Sequence, residues 1–113
     1  MNDLTKMTCT EPKKGGPHIT SAEIDEYYPQ IPEWVIVDVE GVKQLTRQYS
    51  FPNFVSALEF TNKIGELAEA EDHHPSILTE WGKVTLTWWT HVVKGLHLND
   101  FITAAKSDEI YSK

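Results

Sequence analysis

The chain has 113 residues, 40% hydrophobic and 24% charged, and 10 Lys and Arg face 17 Asp and Glu for a formal net charge of -7. That length holds one domain with a modest core and not two, and an acidic balance without any basic run excludes a nucleic-acid binder resting on phosphate contacts. No apolar stretch approaches the ~18–20 residues of a membrane span, residues 1–16 lack the apolar run of a signal peptide, and the single Cys9 excludes an internal disulfide, so a soluble cytoplasmic domain is expected.

Residues 1–16 are polar and aperiodic and read as a mobile tail, which places the domain at 17–113. Thr20 and Glu23 have capping-box spacing, predicting a short helix from about Ser21 to Tyr28 that stops before Pro29. Trp34 to Val39 is rich in β-branched residues, with Val35, Val37 and Val39 on one face. After Glu40-Gly41, a second extended run from Val42 to Tyr49 completes a hairpin. The period then changes. Phe54, Leu58, Thr61, Ile64, Gly65 and Ala68 recur at helical steps and predict one amphipathic helix over about 53–71, capped by Ser50 or Asn53. Pro75 ends it, because the ring disfavours helical backbone at His74. Ile77 to Trp81 and Lys83 to His91 form a second hairpin around Gly82, with Val84, Leu86, Trp88 and Thr90 on one face and Thr85, Thr87, Trp89 and His91 on the other. A closing helix from about Asn99 to Tyr111 carries Phe101, Ala104 and Ala105 on one stripe. The order helix, hairpin, helix, hairpin, helix predicts an α+β fold with an antiparallel sheet.

Five histidines are present, and three stand near element ends, where a rigid scaffold presents functional groups. His73 and His74 follow the long helix, and His91 ends a strand. Glu69 lies four residues before His73, on the same helix face if the last turn persists. Asp100 falls in the first turn of the last helix, where the helix dipole favours its charge. Imidazole titrates near ~6.5 and gives or takes protons at neutral pH, so such a cluster suits acid–base chemistry. His18 and His97 read as structural. A zinc site built from His73, His74, His91 and Glu69 fits less well: adjacent histidines in extended backbone diverge, and no zinc spacing such as HExxH or CxxC occurs. No nucleophile elbow or phosphate-cradling loop is present. Trp34, Trp81, Trp88 and Trp89 read as core or interface residues, and Trp89 also shares a strand face with His91.

Glu69, His73, His74, Pro75, Trp81, His91 and Asp100, seven positions across 32 residues, closely resemble the signature of the pterin-4a-carbinolamine dehydratases. Ile31-Pro32 before Trp34, and Phe51-Pro52-Asn53-Phe54 entering the long helix, also resemble that family, and the likeness covers about 17–111. The resemblance implies a four-stranded antiparallel sheet with helices packed on one face, assembled as a homodimer or homotetramer. It implies dehydration of 4a-hydroxytetrahydropterin to quinonoid dihydropterin, recycling the cofactor of aromatic amino acid hydroxylases, with no metal and no organic cofactor. His73, His74 and His91 would line the pterin site, with His74 and His91 transferring protons and His73 placing the substrate. Glu69 and Asp100 would orient imidazoles. Pro75, and Trp89, Thr90, Val92 and Val93 around His91, would hold the pterin edge. Two other classes stay open: an interaction protein, since some family members are dimerisation cofactors of a homeodomain transcription factor, and a histidine-ligated metal hydrolase.

Overall fold

The computed structural model describes residues 2–113. Helix α1 (Ser21–Tyr27) begins at Thr20, whose hydroxyl accepts from the Glu23 amide while the Glu23 carboxylate accepts from the Thr20 amide. The capping box predicted from the sequence is therefore formed, and it satisfies two amides that a helix start leaves without partners. The α-helix ends at Tyr27, but one tighter turn, Tyr28–Gln30, continues through Pro29. Proline is tolerated there because its fixed φ suits a first helical turn.

Strands β1 (Val35–Val39) and β2 (Val42–Ser50) pair antiparallel across Glu40 and Gly41, both at positive φ. That is the backbone a two-residue hairpin turn needs, and the Asp38 carboxylate accepts from the Gly41 amide at 2.8 Å. Helix α2 (Phe54–Glu71) starts at Asn53, whose side chain accepts from the Ser56 amide. Strands β3 (Ser76–Glu80) and β4 (Lys83–Trp88) turn at Gly82, and helix α3 (Leu98–Tyr111) closes the chain. The four strands make one antiparallel sheet in the order β1-β2-β4-β3. This is the α+β architecture the element order predicts.

Strand register puts Leu45 opposite Trp88 and Tyr49 opposite Val84. All four are buried with Leu86 against α2 and α3. Thr46, Gln48, Thr85 and Thr87 face the other way, where Val35, Val39 and Leu78 remain exposed. Helix α3 is tied over β2 by Asp108, which accepts from the Trp34 indole at 3.0 Å, the Arg47 guanidinium at 2.7 Å and the Tyr49 hydroxyl at 2.5 Å. Burial, together with that bond to Asp108, raises the Tyr49 pKa, so the phenol stays a donor here.

Three expectations are corrected. The α2 stripe is displaced: Ala57, Phe60, Ile64 and Ala68 are buried, whereas Phe54 and Leu58 are exposed. The buried face carries Ala57 and Ala68 beside Phe60 and Ile64, and the periodic pattern alone could not tell that face from the adjoining one. The second hairpin runs from Ser76 to Trp88 rather than from Ile77 to His91, because the Thr90 amide donates to Gly95 instead of extending β4. Of the tryptophans read as core or interface residues, Trp34 and Trp88 are wholly buried in the core, while Trp81 is 72% exposed. The segment expected as a mobile tail is packed on the domain over residues 2–16. Leu4 is wholly buried, its amide donates to the Gln30 side chain, and Met7 and Cys9 lie against the core. Leu4 and Met7, three residues apart around a single tight turn, supply apolar anchors that the polar composition masks.

Candidate active site

The site is built at three element ends. Asp72 ends α2 in the left-handed conformation, φ 51°, and the His73 amide donates back to Ala68. Asp tolerates this backbone better than most residues because its short polar side chain can bond locally. The reversal sends His73 inward and leaves His74 outside. His73 is buried, stacked on Trp88 with ring centroids 5.6 Å apart and planes 13° from parallel, and its Nε2 lies 2.6 Å from the Asp100 carboxylate. His74 is exposed, and its Nε2 lies 2.5 Å from the Glu69 carboxylate. The two imidazoles therefore diverge onto different carboxylates, as the extended-backbone argument predicts. Glu69 pairs with His74 and not with the helix-mate His73 that its spacing suggested, since Asp72 breaks the helical periodicity between them.

His91 does not end a strand. It opens a single 3-10 turn, His91–Val93, closed by Lys94 at φ 53° and by the Thr90–Gly95 bridge. The His18 imidazole donates to the Val93 carbonyl at 2.6 Å, and a Cβ on Gly95 would come within 2.8 Å of that ring. Glycine at position 95 leaves room for that ring, and any larger residue would have to displace the His18 imidazole. Trp89 packs on His91, ring centroids 4.6 Å apart. His97 caps α3, its Nδ1 accepting from the Asn99 amide.

Asp100 links these pieces. Wholly buried in the first turn of α3, it accepts from the Thr90 hydroxyl at 2.9 Å and the His97 amide at 2.9 Å on one oxygen, and from His73 on the other. A carboxylate only accepts, so His73 carries a hydrogen on Nε2, and the neutral ring keeps Nδ1 as an acceptor.

A cleft of about 440 Å³ opens beside this network. His73, His74, Thr90, His91 and Val92 line it together with Cys9, Thr10, Glu11 and Pro12, and with Glu71 and Asp72 at the end of α2. The cleft therefore brings together the three predicted histidines with Thr90 and Val92. Glu69, Pro75, Trp89, Val93 and Asp100 stand behind or beside it. Residues 9–12 and Glu71 were missed in the sequence; a lone cysteine shortly after two spaced apolar residues was the only signal there. Among the described residues, no three His, Cys, Asp or Glu side chains are grouped as a metal ion would need. No helix is long and apolar enough to cross a membrane.

A profile of the pterin 4 alpha carbinolamine dehydratases matches residues 17–110. The chain belongs to this family. Three curated relatives carry the family's name with a provisional qualifier. Those of Nitrosococcus oceani and Syntrophotalea carbinolica are 51% and 52% identical over 110 residues, 97% of this chain and 97% and 98% of theirs. That of Chlorobium luteolum is 48% identical over all of this chain and 99% of its own. Among solved structures, one described as a transcriptional coactivator/pterin dehydratase from Brucella melitensis superposes with a TM-score of 0.72 at 29% identity, covering 83% of this chain and 98% of that one. A pterin dehydratase-like protein described as a RuBisCO assembly factor of the alpha-carboxysome shares the fold, with a TM-score of 0.61 at 17% identity over 72% of this chain and 92% of that one. The pterin carbinolamine dehydratases are hydro-lyases, so this chain is an enzyme that removes water from a pterin carbinolamine.

Proposed function

We propose that the dehydratase converts 4a-hydroxytetrahydropterin to quinonoid dihydropterin by histidine acid–base catalysis, with His74 and His91 moving protons and His73 placing the ring. The observation that supports this reading most is the contrast among three imidazoles on one cleft. His73 is buried and pinned between Trp88 and Asp100, whereas His74 and His91 are exposed to water.

The lone pair on N5 of the carbinolamine forms the N5=C4a bond as the C4a–O bond breaks. Hydroxide leaves poorly, so an imidazolium donates a proton to the oxygen and water departs. A neutral imidazole then takes one proton from the ring nitrogens, which leaves a neutral quinonoid product. Each such transfer is worth typically ~10²–10⁴ in rate. Glu69 pairs with His74 Nε2 and orients that ring, and Asp100 fixes a hydrogen on His73 Nε2 so that Nδ1 of the neutral ring accepts. Neither carboxylate needs to touch substrate. The backbone near Pro75 and from Thr90 to Val93 holds the pterin edge in this reading.

We further assign the product to recycling of the pterin cofactor of aromatic amino acid hydroxylases in the cytoplasm, with no metal or organic cofactor. Exposed Phe54, Val55 and Leu58 on α2, and exposed Val35 and Val39 on the edge strand β1, support a homodimer or homotetramer. The deciding assay follows loss of the 4a-carbinolamine against its spontaneous dehydration. Acceleration by catalytic amounts of protein supports the reaction, and a rate equal to background overturns it. Prolonged treatment with a strong chelator should leave turnover unchanged; loss on chelation with recovery on added zinc would reassign the histidines as ligands.

A further inference from the structure

We propose that residues Cys9–Pro12 form the second wall of the pterin cleft and set its substrate affinity, with Glu71 and Asn99 as positioning residues that hold that wall in place. The proposal rests on the cleft being the pterin site.

Two anchors hold the segment at the element ends that also carry the histidines. At the end of α2, the Glu71 carboxylate accepts from the Cys9 amide at 2.8 Å on one oxygen and from the Lys106 ammonium at 2.8 Å on the other. At the start of α3, the Asn99 side chain pairs with both peptide groups of Thr10: the Thr10 amide donates to Oδ1 at 3.0 Å, and Nδ2 donates to the Thr10 carbonyl at 2.7 Å. Asn99 is buried, at 2% exposure, whereas Thr10 is exposed, so the pairing ties a surface peptide to a side chain held inside the protein. Beyond the cleft, the Gly15 amide donates to the Val92 carbonyl at 2.8 Å, next to His91. Between the anchors, Glu11 and Pro12 line the opening and make no hydrogen bond to the rest of the chain among the described residues. The chain is thus fixed at Cys9 and Thr10 and again at Gly15, and Glu11 and Pro12 between those points line the cleft.

The arrangement has a physical consequence. Small-molecule sites bury most of the ligand surface, but the histidine side alone would leave one face of a flat bicyclic ring in water. In this proposal Cys9–Pro12 supplies the opposing surface, and among the described residues it makes no hydrogen bond to His74 or His91. Weakening its anchors therefore removes contacts that substrate and transition state share equally, which raises KM and leaves kcat in place. Burial, reinforced by the neighbouring Glu71 charge, pushes the Cys9 thiol up to about 12. As the chain's single cysteine, it reports whether the segment is docked.

The test combines kinetics with alkylation of Cys9. In the unaltered protein, a saturating stable dihydropterin should slow iodoacetamide modification of Cys9, and an equal rate with and without that ligand would overturn the proposal. In Glu71→Ala, Cys9 should react faster and KM should rise about tenfold, the equivalent of about 1.4 kcal/mol, with kcat within about twofold. Glu71→Gln keeps an acceptor for the Cys9 amide and should recover part of that KM. A merely structural role would lower kcat and melting temperature together without this split. Faster Cys9 modification with an unchanged KM, or an unchanged Cys9 rate in Glu71→Ala, would each refute the assignment. If the unaltered protein showed no dehydration above background, the catalytic reading would fall, while ligand protection of Cys9 would still decide the wall.

Discussion

Replacing Asp100 with Asn tests how the site is wired, because the change keeps shape and alters only what each atom can accept. One Asp100 oxygen takes the Thr90 hydroxyl and the His97 amide, and the other takes His73 Nε2. The amide oxygen of Asn can replace only one of these. Serving two donors is the better arrangement, so the Asn oxygen should face Thr90 and His97 and its NH₂ should face His73. Two donors would then oppose each other at 2.6 Å unless His73 moves its hydrogen to Nδ1. The variant should therefore fold with the opposite His73 tautomer and present a donor to the cleft where an acceptor stood. A lost charge-assisted hydrogen bond in a buried setting costs about 1.5–3 kcal/mol. For a domain of this size that corresponds to a fall in melting temperature of about 5–15 °C. Dehydration should fall about 10²-fold, near the lower end of what one acid–base group contributes. Thermal melts give the stability change, nitrogen-15 NMR of the imidazoles gives the tautomer, and the carbinolamine assay gives the rate. An Asn variant that kept hydrogen on His73 Nε2 and turned over normally would refute the reasoning.

Other outcomes follow from the same geometry. His91→Ala and His74→Ala remove exposed side chains, so each should lose most activity while stability shifts by less than about 1 kcal/mol. The double variant should lose less than the product of the two factors, because the groups act as one unit; near-normal turnover in His91→Ala would remove it from catalysis. Partial burial raises the Glu71 pKa, but the Cys9 amide and Lys106 outweigh it and hold the group below its ordinary 4.5. Its contribution to docking residues 9–12 is thus complete above about pH 4.5 and is lost as pH falls through the depressed value. The Cys9 amide resonance should report that acid step, and Glu71→Gln should abolish it. Sedimentation at micromolar concentration should show a species heavier than 12.9 kDa; a monomer alone would leave the exposed apolar face of α2 without its proposed partner.

Local sequence chemistry determined most of the elements and marked the three histidines that meet at the cleft. Thr20 with Glu23, Asn53 before Phe54, and Gly41 and Gly82 at the turns each act on neighbouring residues, so helix starts and hairpins were legible without tertiary information. His73, His74 and His91 were likewise legible, because element ends and the spacing of the signature mark them. Which residues meet was decided only by the folded chain. The left-handed turn at Asp72 gave His73 to Asp100 and His74 to Glu69, and pairing by helical spacing could not anticipate a break in the helix. The buried face of α2, with Ala57 and Ala68 beside Phe60 and Ile64, depended on the opposing surface as much as on the helix. Residues 2–16 show the same limit most plainly. Their composition is that of a mobile segment, yet Leu4 finds a closed apolar site, and Thr10 finds Asn99 at 89 positions' distance in the chain. Partners that far apart leave no trace in local periodicity, because their attraction exists only after the sheet and two helices have assembled the surface that receives them.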